Sequence, residues 1–148
     1  MPSALKSKRA KNEAKEKLSY CLYRSSALPG LDEEALEKIL EQSRLRNRER
    51  GLSGCLHYEN GIFFQWIEGP PSALYPLLTA LQEDERHMNF LILDQGSLEN
   101  RLFDEWQMRF SDKNIASLFE WISAQDKTEI VADDYAKDVK NFMKSIST

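Results

Sequence analysis

One primary amide stands where an amide is costly. Gln65 lies in the run Gly61 to Gly69, flanked by Ile62, Phe63, Phe64, Trp66 and Ile67. Such an amide carries two donors and an acceptor, and burying it unpaired costs about 1–3 kcal/mol. Either a neighbouring polar side chain satisfies it, or it faces a polar ligand. Tyr23, Ser43 and Asn47 are further neutral polar side chains in the surrounding elements. Neutral donors and acceptors among aromatics suit hydrogen bonding to a planar heterocycle, and a tyrosine can supply an electron and a proton to a photo-oxidant. Other chemistry has no support. His57 and His87 are far apart and lack cysteines at ligand spacing. There is no phosphate-cradling glycine loop and no nucleophile elbow, and no carboxylate pair stands out.

The elements that must position these groups follow from periodicity. Gly61 to Gly69 is rich in β-branched and aromatic residues and reads as a strand, apolar on both faces and therefore central. Alternation puts Ile62, Phe64 and Trp66 on one face and Phe63, Gln65 and Ile67 on the other. Leu18 to Ser25 reads as the first strand, with Tyr20 and Tyr23 on opposite faces. Asp32 caps a helix that stops at Gly51. Its apolar stripe of Leu36, Ile39 and Leu40 continues through Ser43 and Asn47, so polar residues fall on the buried face. Together with Gln65 they predict a polar-lined cleft beneath an apolar helix.

Gly54 to Glu59 forms a further strand, joined to the central one by the hairpin signal Asn60-Gly61. Pro70-Pro71 ends that strand. Ser72 is expected to cap a second helix reaching about Asp84, striped by Leu74, Leu77, Leu78 and Leu81, with Pro76 close to its first turn. Phe90 to Asp94 reads as a buried strand, and Trp106 to Phe110 as a strand near a sheet edge. Two amphipathic helices follow, striped by Ile115, Leu118, Phe119 and Ile122, then by Tyr135, Val139, Phe142, Met143 and Ile146. They are expected to cover the sheet face left bare. The order β-α-β-β-α-β-β defines an α+β, ferredoxin-like fold: a mixed sheet of about five strands, with two helices on one face and the C-terminal helices on the other.

The 148 residues suit one domain with short appendages: a charged extension over 1–17, the domain over 18–110 and a helical cap over 111–148. Net charge is −4, against a partner such as nucleic acid that is held by overall charge. No apolar run spans a bilayer and no signal peptide is visible, so a cytoplasmic protein without a membrane partner is expected. Cys21 and Cys55 read as buried thiols.

The element order is shared with RNA-recognition modules, whose strands carry base-stacking aromatics. Phe64 and Trp66 could imitate that, but the acidic charge and the covering helices oppose it. A non-photoactive ferredoxin-like binding module, for RNA or protein, is the alternative reading.

The ordered residues resemble another family. Tyr23-Arg24-Ser25, Ser43, Arg46-Asn47, Gly51-Leu52-Ser53-Gly54, Phe63 to Gly69, Asp84 to His87 and Arg101 to Met108 together are similar to the BLUF domains, flavin-binding blue-light sensors. The resemblance implies FAD, or the smaller FMN, held non-covalently between the two helices against the sheet. It implies Asn47 on the pyrimidine edge of the ring, and Gln65 bridging flavin N5/O4 and Tyr23. Trp106 and Met108 would lie nearby, with Ser43, Arg46, Phe63, Arg86 and His87 completing the site. Arg46 stands where many members have Asn or His, and Ser53 where Thr is commoner.

The implied mechanism is photochemical and turns over no substrate. Tyr23 reduces the excited flavin, a proton passes through Gln65, and recombination leaves Gln65 rotated or tautomerised with the absorption red-shifted. The state would pass through Trp106, Met108 and the fifth strand to the C-terminal helices. These residues leave no room for a cyclase or phosphodiesterase unit, so output to a partner protein or through self-association is implied.

Overall fold

A computed structural model describes residues 17–85, 87–103, 108–124 and 132–146, with His87, Ala132 and Asp133 described by backbone alone. Its sheet runs in the order β4-β1-β3-β2-β5, with β1 spanning Leu18–Ala27, β2 Ser53–Glu59, β3 Ile62–Gly69, β4 His87–Leu98 and β5 Arg109–Asp112. The β2–β5 pair is parallel and the other pairs are antiparallel. The central place of β3 is as expected, because a strand apolar on both faces needs a layer on each side.

Helix α1 spans Glu33–Arg50. Asp32 accepts from the Ala35 amide at 2.8 Å, and Gly51 ends the helix with φ 69°, a left-handed conformation that glycine adopts without a Cβ penalty. Leu40, Ser43 and Asn47 are its buried residues, so the polar continuation of the stripe is on the core side. Asn60 and Gly61 have φ of 52° and 77°, the signs a two-residue type I′ hairpin turn requires.

Helix α2 spans Pro71–Gln82. It starts one residue before the expected cap: Pro70 is the N-cap, Pro71 begins the helix, and Ser72 lies inside. A proline suits the first helical position, where its missing amide has no partner to lose and its fixed φ is already helical. The earlier start puts Pro76 within the helix, not near its first turn.

The remaining helices are α3, Leu118–Ala124, and α4, Ala132–Ile146. Three apolar clusters result, two on one face of the sheet and one on the other. Cys21, Tyr23 and Ile67 pack under α2, and Leu56 and Phe63 pack under α1 with Leu40. On the opposite face Leu22, Cys55, Phe64 and Trp66 meet Leu118, Val139, Phe142 and Met143. The C-terminal helices therefore cover the face that α1 and α2 leave open.

Three expectations change. The run Phe90 to Asp94 belongs to an edge strand, with Leu91 56% exposed. Its apolar residues show that both faces are covered, Phe90 and Ile92 on one side and Leu93 on the other, and not that both edges are paired. The described part of β5 runs from Arg109 to Asp112, beyond the expected end at Phe110. Ile115 is in the turn before α3 and 60% exposed, so it is not part of that helix's buried stripe. Among the described residues no helix is long and apolar enough to cross a membrane.

Candidate functional site

Antiparallel pairing sets Tyr23 of β1 directly opposite Gln65 of β3, on the face covered by α1 and α2. The Tyr23 hydroxyl donates to Gln65 Oε1, and Gln65 Nε2 donates to Met108 Sδ at 3.5 Å. All three residues are buried. The amide thus has partners at both ends, a phenol at its oxygen and the weak acceptor of a thioether at its nitrogen. Burial pushes the Tyr23 phenol well above its ordinary value, with Asp84 and Cys21 acting the same way and the positive charge of Arg46 pulling against them. The phenol is therefore protonated throughout the neutral range.

A cleft opens on this pair between α1 and α2. Its polar wall is Tyr23, Ser25, Ser43, Arg46, Gln65 and Asp84, and its apolar wall Ile39, Leu56, Phe63 and Leu81. The cavity proper is about 40 Å³, and the open space out to the mouth is about 440 Å³. Asn47 lies one turn beyond Ser43, fully buried; its carbonyl accepts the Gly51 and Leu52 amides that close the helix end. Phe63 is buried with its ring 4.9 Å from that of Tyr58. Met108 is fixed from two sides, since its carbonyl also accepts from Arg44 Nε at 3.2 Å.

The structure therefore brings together Tyr23, Ser43, Arg46, Phe63, Gln65 and Met108, with Asn47 adjacent. The backbone of His87 pairs with Ala27 at the end of β4, while its side chain, Arg86 and Trp106 lie outside the described residues. Ser25 and Leu56 also line the cleft, and neither was named as a site residue from sequence. Both carried a signal. Ser25 follows Tyr23 by the two-residue strand period, and the Asn60-Gly61 turn fixes a hairpin register in which Leu56 faces Gln65.

A buried carboxylate, also missed, holds the loop after β4. Glu68 is fully buried and its two oxygens accept from Ser53 Oγ, Trp66 Nε1 and the Leu102 and Phe103 amides at 2.8–2.9 Å. Arg101 joins the same cluster, donating to Ser53 Oγ at 2.9 Å and to the Gly51 carbonyl at 2.6 Å. The end of α1, the start of β2 and the segment from Arg101 to Phe103 are thereby tied together. Ser53 needs only its hydroxyl here, a requirement that threonine would also meet.

Comparison with known proteins agrees with this fold. The family model described as sensors of blue light using FAD matches residues 18–109. The β subunit of the photoactivated adenylate cyclase of Euglena longa is 36% identical over 83 residues, which is 56% of this chain and 9% of that protein. The chain thus spans under a tenth of the length of such curated relatives. The dark-state structure of BlrB, a BLUF protein, superposes with a TM-score of 0.74 at 28% identity, covering 89% of this chain and 96% of that one. Klebsiella pneumoniae BlrP1, solved with FMN and cyclic diGMP, shares the fold at 24% identity and a TM-score of 0.64, over 81% of this chain and 33% of that one. With a family model matched over most of its length and a buried tyrosine–glutamine pair opening into a cleft between its first two helices, the chain belongs to the BLUF family of blue-light flavin sensors.

Proposed function

We propose that this chain holds FAD non-covalently in the cleft between α1 and α2, and that blue light changes the hydrogen bonding of Tyr23 and Gln65 there. The observation that carries the reading is the buried relay Tyr23–Gln65–Met108 opening onto that cleft. The donor set fits a flavin ring: Gln65, Ser43 and Arg46 offer donors and acceptors to carbonyl and imide groups, while Ile39, Leu56, Phe63 and Leu81 offer apolar faces. Ligand pockets run to about 300–1,000 Å³, and only the open-mouthed space of about 440 Å³ is of that order. Asn47 would hold the pyrimidine edge of the ring, with Arg86, His87 and Trp106 completing the proposed site.

Bound flavin supplies the absorption of blue light and an excited-state one-electron oxidant. Tyr23 would supply the electron, and its hydrogen bond to Gln65 Oε1 would carry the phenolic proton to the amide, which would pass a proton on to the ring through its nitrogen. Return of the electron and proton would restore Tyr23 and leave Gln65 rotated or tautomerised. No substrate is consumed, so the chain acts as a sensor and not as an enzyme.

FAD is preferred over FMN on the family description, while the cleft described above recognises the ring that both share. Residues 18–110 form the flavin-binding domain in this reading, with 1–17 an extension and 111–148 a helical cap. Output goes to a partner protein or to self-association. The free thiols of Cys21 and Cys55 suit a reducing cytoplasm.

The test is an absorption spectrum of the purified protein in the dark and after blue light, with the released flavin identified by chromatography. A yellow protein with a reversible red shift is expected. A colourless protein that takes up neither FAD nor FMN would overturn the reading in favour of a non-photoactive binding module.

A further inference from the structure

We propose that His57 and Glu59 are positioning residues that couple the Gln65 amide to α3 and α4, so that the light-driven change is read out as loosened packing of these two helices. The proposal rests on the photoreceptor reading above and names how that site's signal leaves it.

The connection is continuous in the structure. Met108, whose Sδ accepts the Gln65 amide, is followed at once by β5. Among the described residues that strand pairs with β2 alone, at the sheet edge. Opposite His57 of β2 stands Ser111, whose Oγ is 3.0 Å from His57 Nδ1. The other ring nitrogen, Nε2, is 2.8 Å from Glu59 Oε1. Glu59 then accepts from Ser117 Oγ and from the Leu118 amide, both at 2.7 Å, where α3 begins. Phe142 of α4 closes over the imidazole edge-on, with ring centres 4.8 Å apart.

The chemistry of the groups gives this chain a direction. An ionised carboxylate only accepts, so His57 carries its proton on Nε2 and donates to Glu59. Burial favours the neutral ring, whose Nδ1 must then accept from the Ser111 hydroxyl. Each member has one role, and His57, Glu59 and Ser111 are all buried. A buried network of this kind is strong when complete and costly when one member moves, which gives the cap two discrete arrangements and not a graded series. Packing alone does not call for it, since apolar side chains of similar volume commonly stabilise a core as well.

Rotation of Gln65 supplies the push. It replaces the N–H beside Met108 Sδ by the amide oxygen, setting two acceptors against each other. Met108 and the start of β5 then shift, Ser111 leaves the line of His57 Nδ1, and the hold of Glu59 on α3 weakens.

Hydrogen exchange of the full chain loaded with FAD, dark and under continuous blue light, tests this beside the absorption spectrum of the same sample. In the parent, light should speed exchange in α3 and α4 on the order of tenfold, the change expected for losing about one such hydrogen bond. Ser111→Ala and His57→Phe should keep the flavin red shift yet show equal exchange in α3 and α4 in dark and light. The phenylalanine retains the ring packed on Phe142, and Ser111→Ala, which loses only a hydroxyl, decides the matter if His57→Phe does not fold. A purely structural role would raise exchange in both states and preserve the light-driven difference, and that result overturns the proposal. A parent that red-shifts without any change in α3 and α4 also overturns it, leaving the receptor standing. A parent with no red shift removes the receptor reading and this inference with it.

Discussion

Replacing Tyr23 by phenylalanine removes one oxygen from the centre of the site and little else. Tyr23 is 2% exposed, and its ring stacks on Phe90 at 4.5 Å between centres, a contact that the substituted ring would keep. The losses are one neutral hydrogen bond, about 1 kcal/mol, and the partner left behind on Gln65 Oε1, for a total of about 1–3 kcal/mol. Against a stability of about 5–15 kcal/mol for a domain of this kind, the variant folds, with Tm lower by several degrees. Flavin should still bind, because the amide and the cleft walls are intact. The photochemistry should not survive, since phenylalanine is far harder to oxidise and has no proton to give. The assay is the difference spectrum after blue light, normalised to flavin content, and the expected result is loss of the persistent red shift. Tyr20→Phe is the control. Tyr20 stacks on Trp66 at 4.5 Å on the opposite sheet face and donates to Asp94 at 2.9 Å, and burial followed by Asp94 pushes its phenol up to about 12. It should keep the shift. A Tyr23 variant that photocycles like the parent, or a Tyr20 variant that does not, would refute the assignment of the donor.

Glu68→Gln places an NH₂ group against two donors whichever way the amide turns, because each carboxylate oxygen accepts two hydrogen bonds. Urea unfolding should show a loss of about 2–4 kcal/mol, and a loss under about 0.5 kcal/mol would show that the cluster does not hold the loop. Acid should also destabilise the cap. Burial holds His57 below its ordinary 6.5, outweighing the opposing pull of Glu59. For Glu59, burial acts upward, but the hydrogen bonds from Ser117, His57 and Leu118 prevail and hold it below 4.5. A neutral His57 ring sustains that hydrogen bond without any charge of its own. In both cases the unfolded chain binds the proton more readily. The His57 contribution is whole above about pH 6.5 and falls away below it, and the Glu59 contribution is whole above about pH 4.5 and is lost as pH falls through its lower folded value. Denaturation midpoints should therefore decline from pH 7 to pH 5 in the parent, and His57→Phe should flatten that limb; an equal slope in both would remove His57 as its cause.

The parts of this molecule legible in its sequence are those governed by local period and turn chemistry. Strand alternation sorted Tyr20 from Tyr23 and Gln65 from Trp66, and the Asp32 and Gly51 caps bounded α1. Ser43 on the buried stripe of α1 and Gln65 on β3 both line the cleft, with Asn47 one turn beyond. Edge position was not legible for β4, because apolar composition reports on faces and the open side of a strand is a property of the sheet order. Nor was the start of α2, where two prolines that end a strand also begin a helix.

The two buried carboxylates show why part of the machinery escapes a reading by residue type. Glu59 and Glu68 lie at the ends of the hairpin strands, where an acidic residue is ordinarily solvated, and each is tied down by donors from far along the chain. Alternation nevertheless carried a hint: Cys55, His57 and Glu59 share the face on which Phe64 and Trp66 lie. A face that buries tryptophan and phenylalanine cannot hold an ionised glutamate without several donors. Their source follows from what remains of the chain. For Glu68 it is the loop after β4, and for Glu59 the entry to α3, so the acids on the hairpin mark where later segments must dock. The same reasoning separates the two. Glu68 fastens a loop to the centre of the sheet, whereas Glu59 fastens the start of α3 and, through His57, an edge strand, which is the path along which the proposed signal leaves the site.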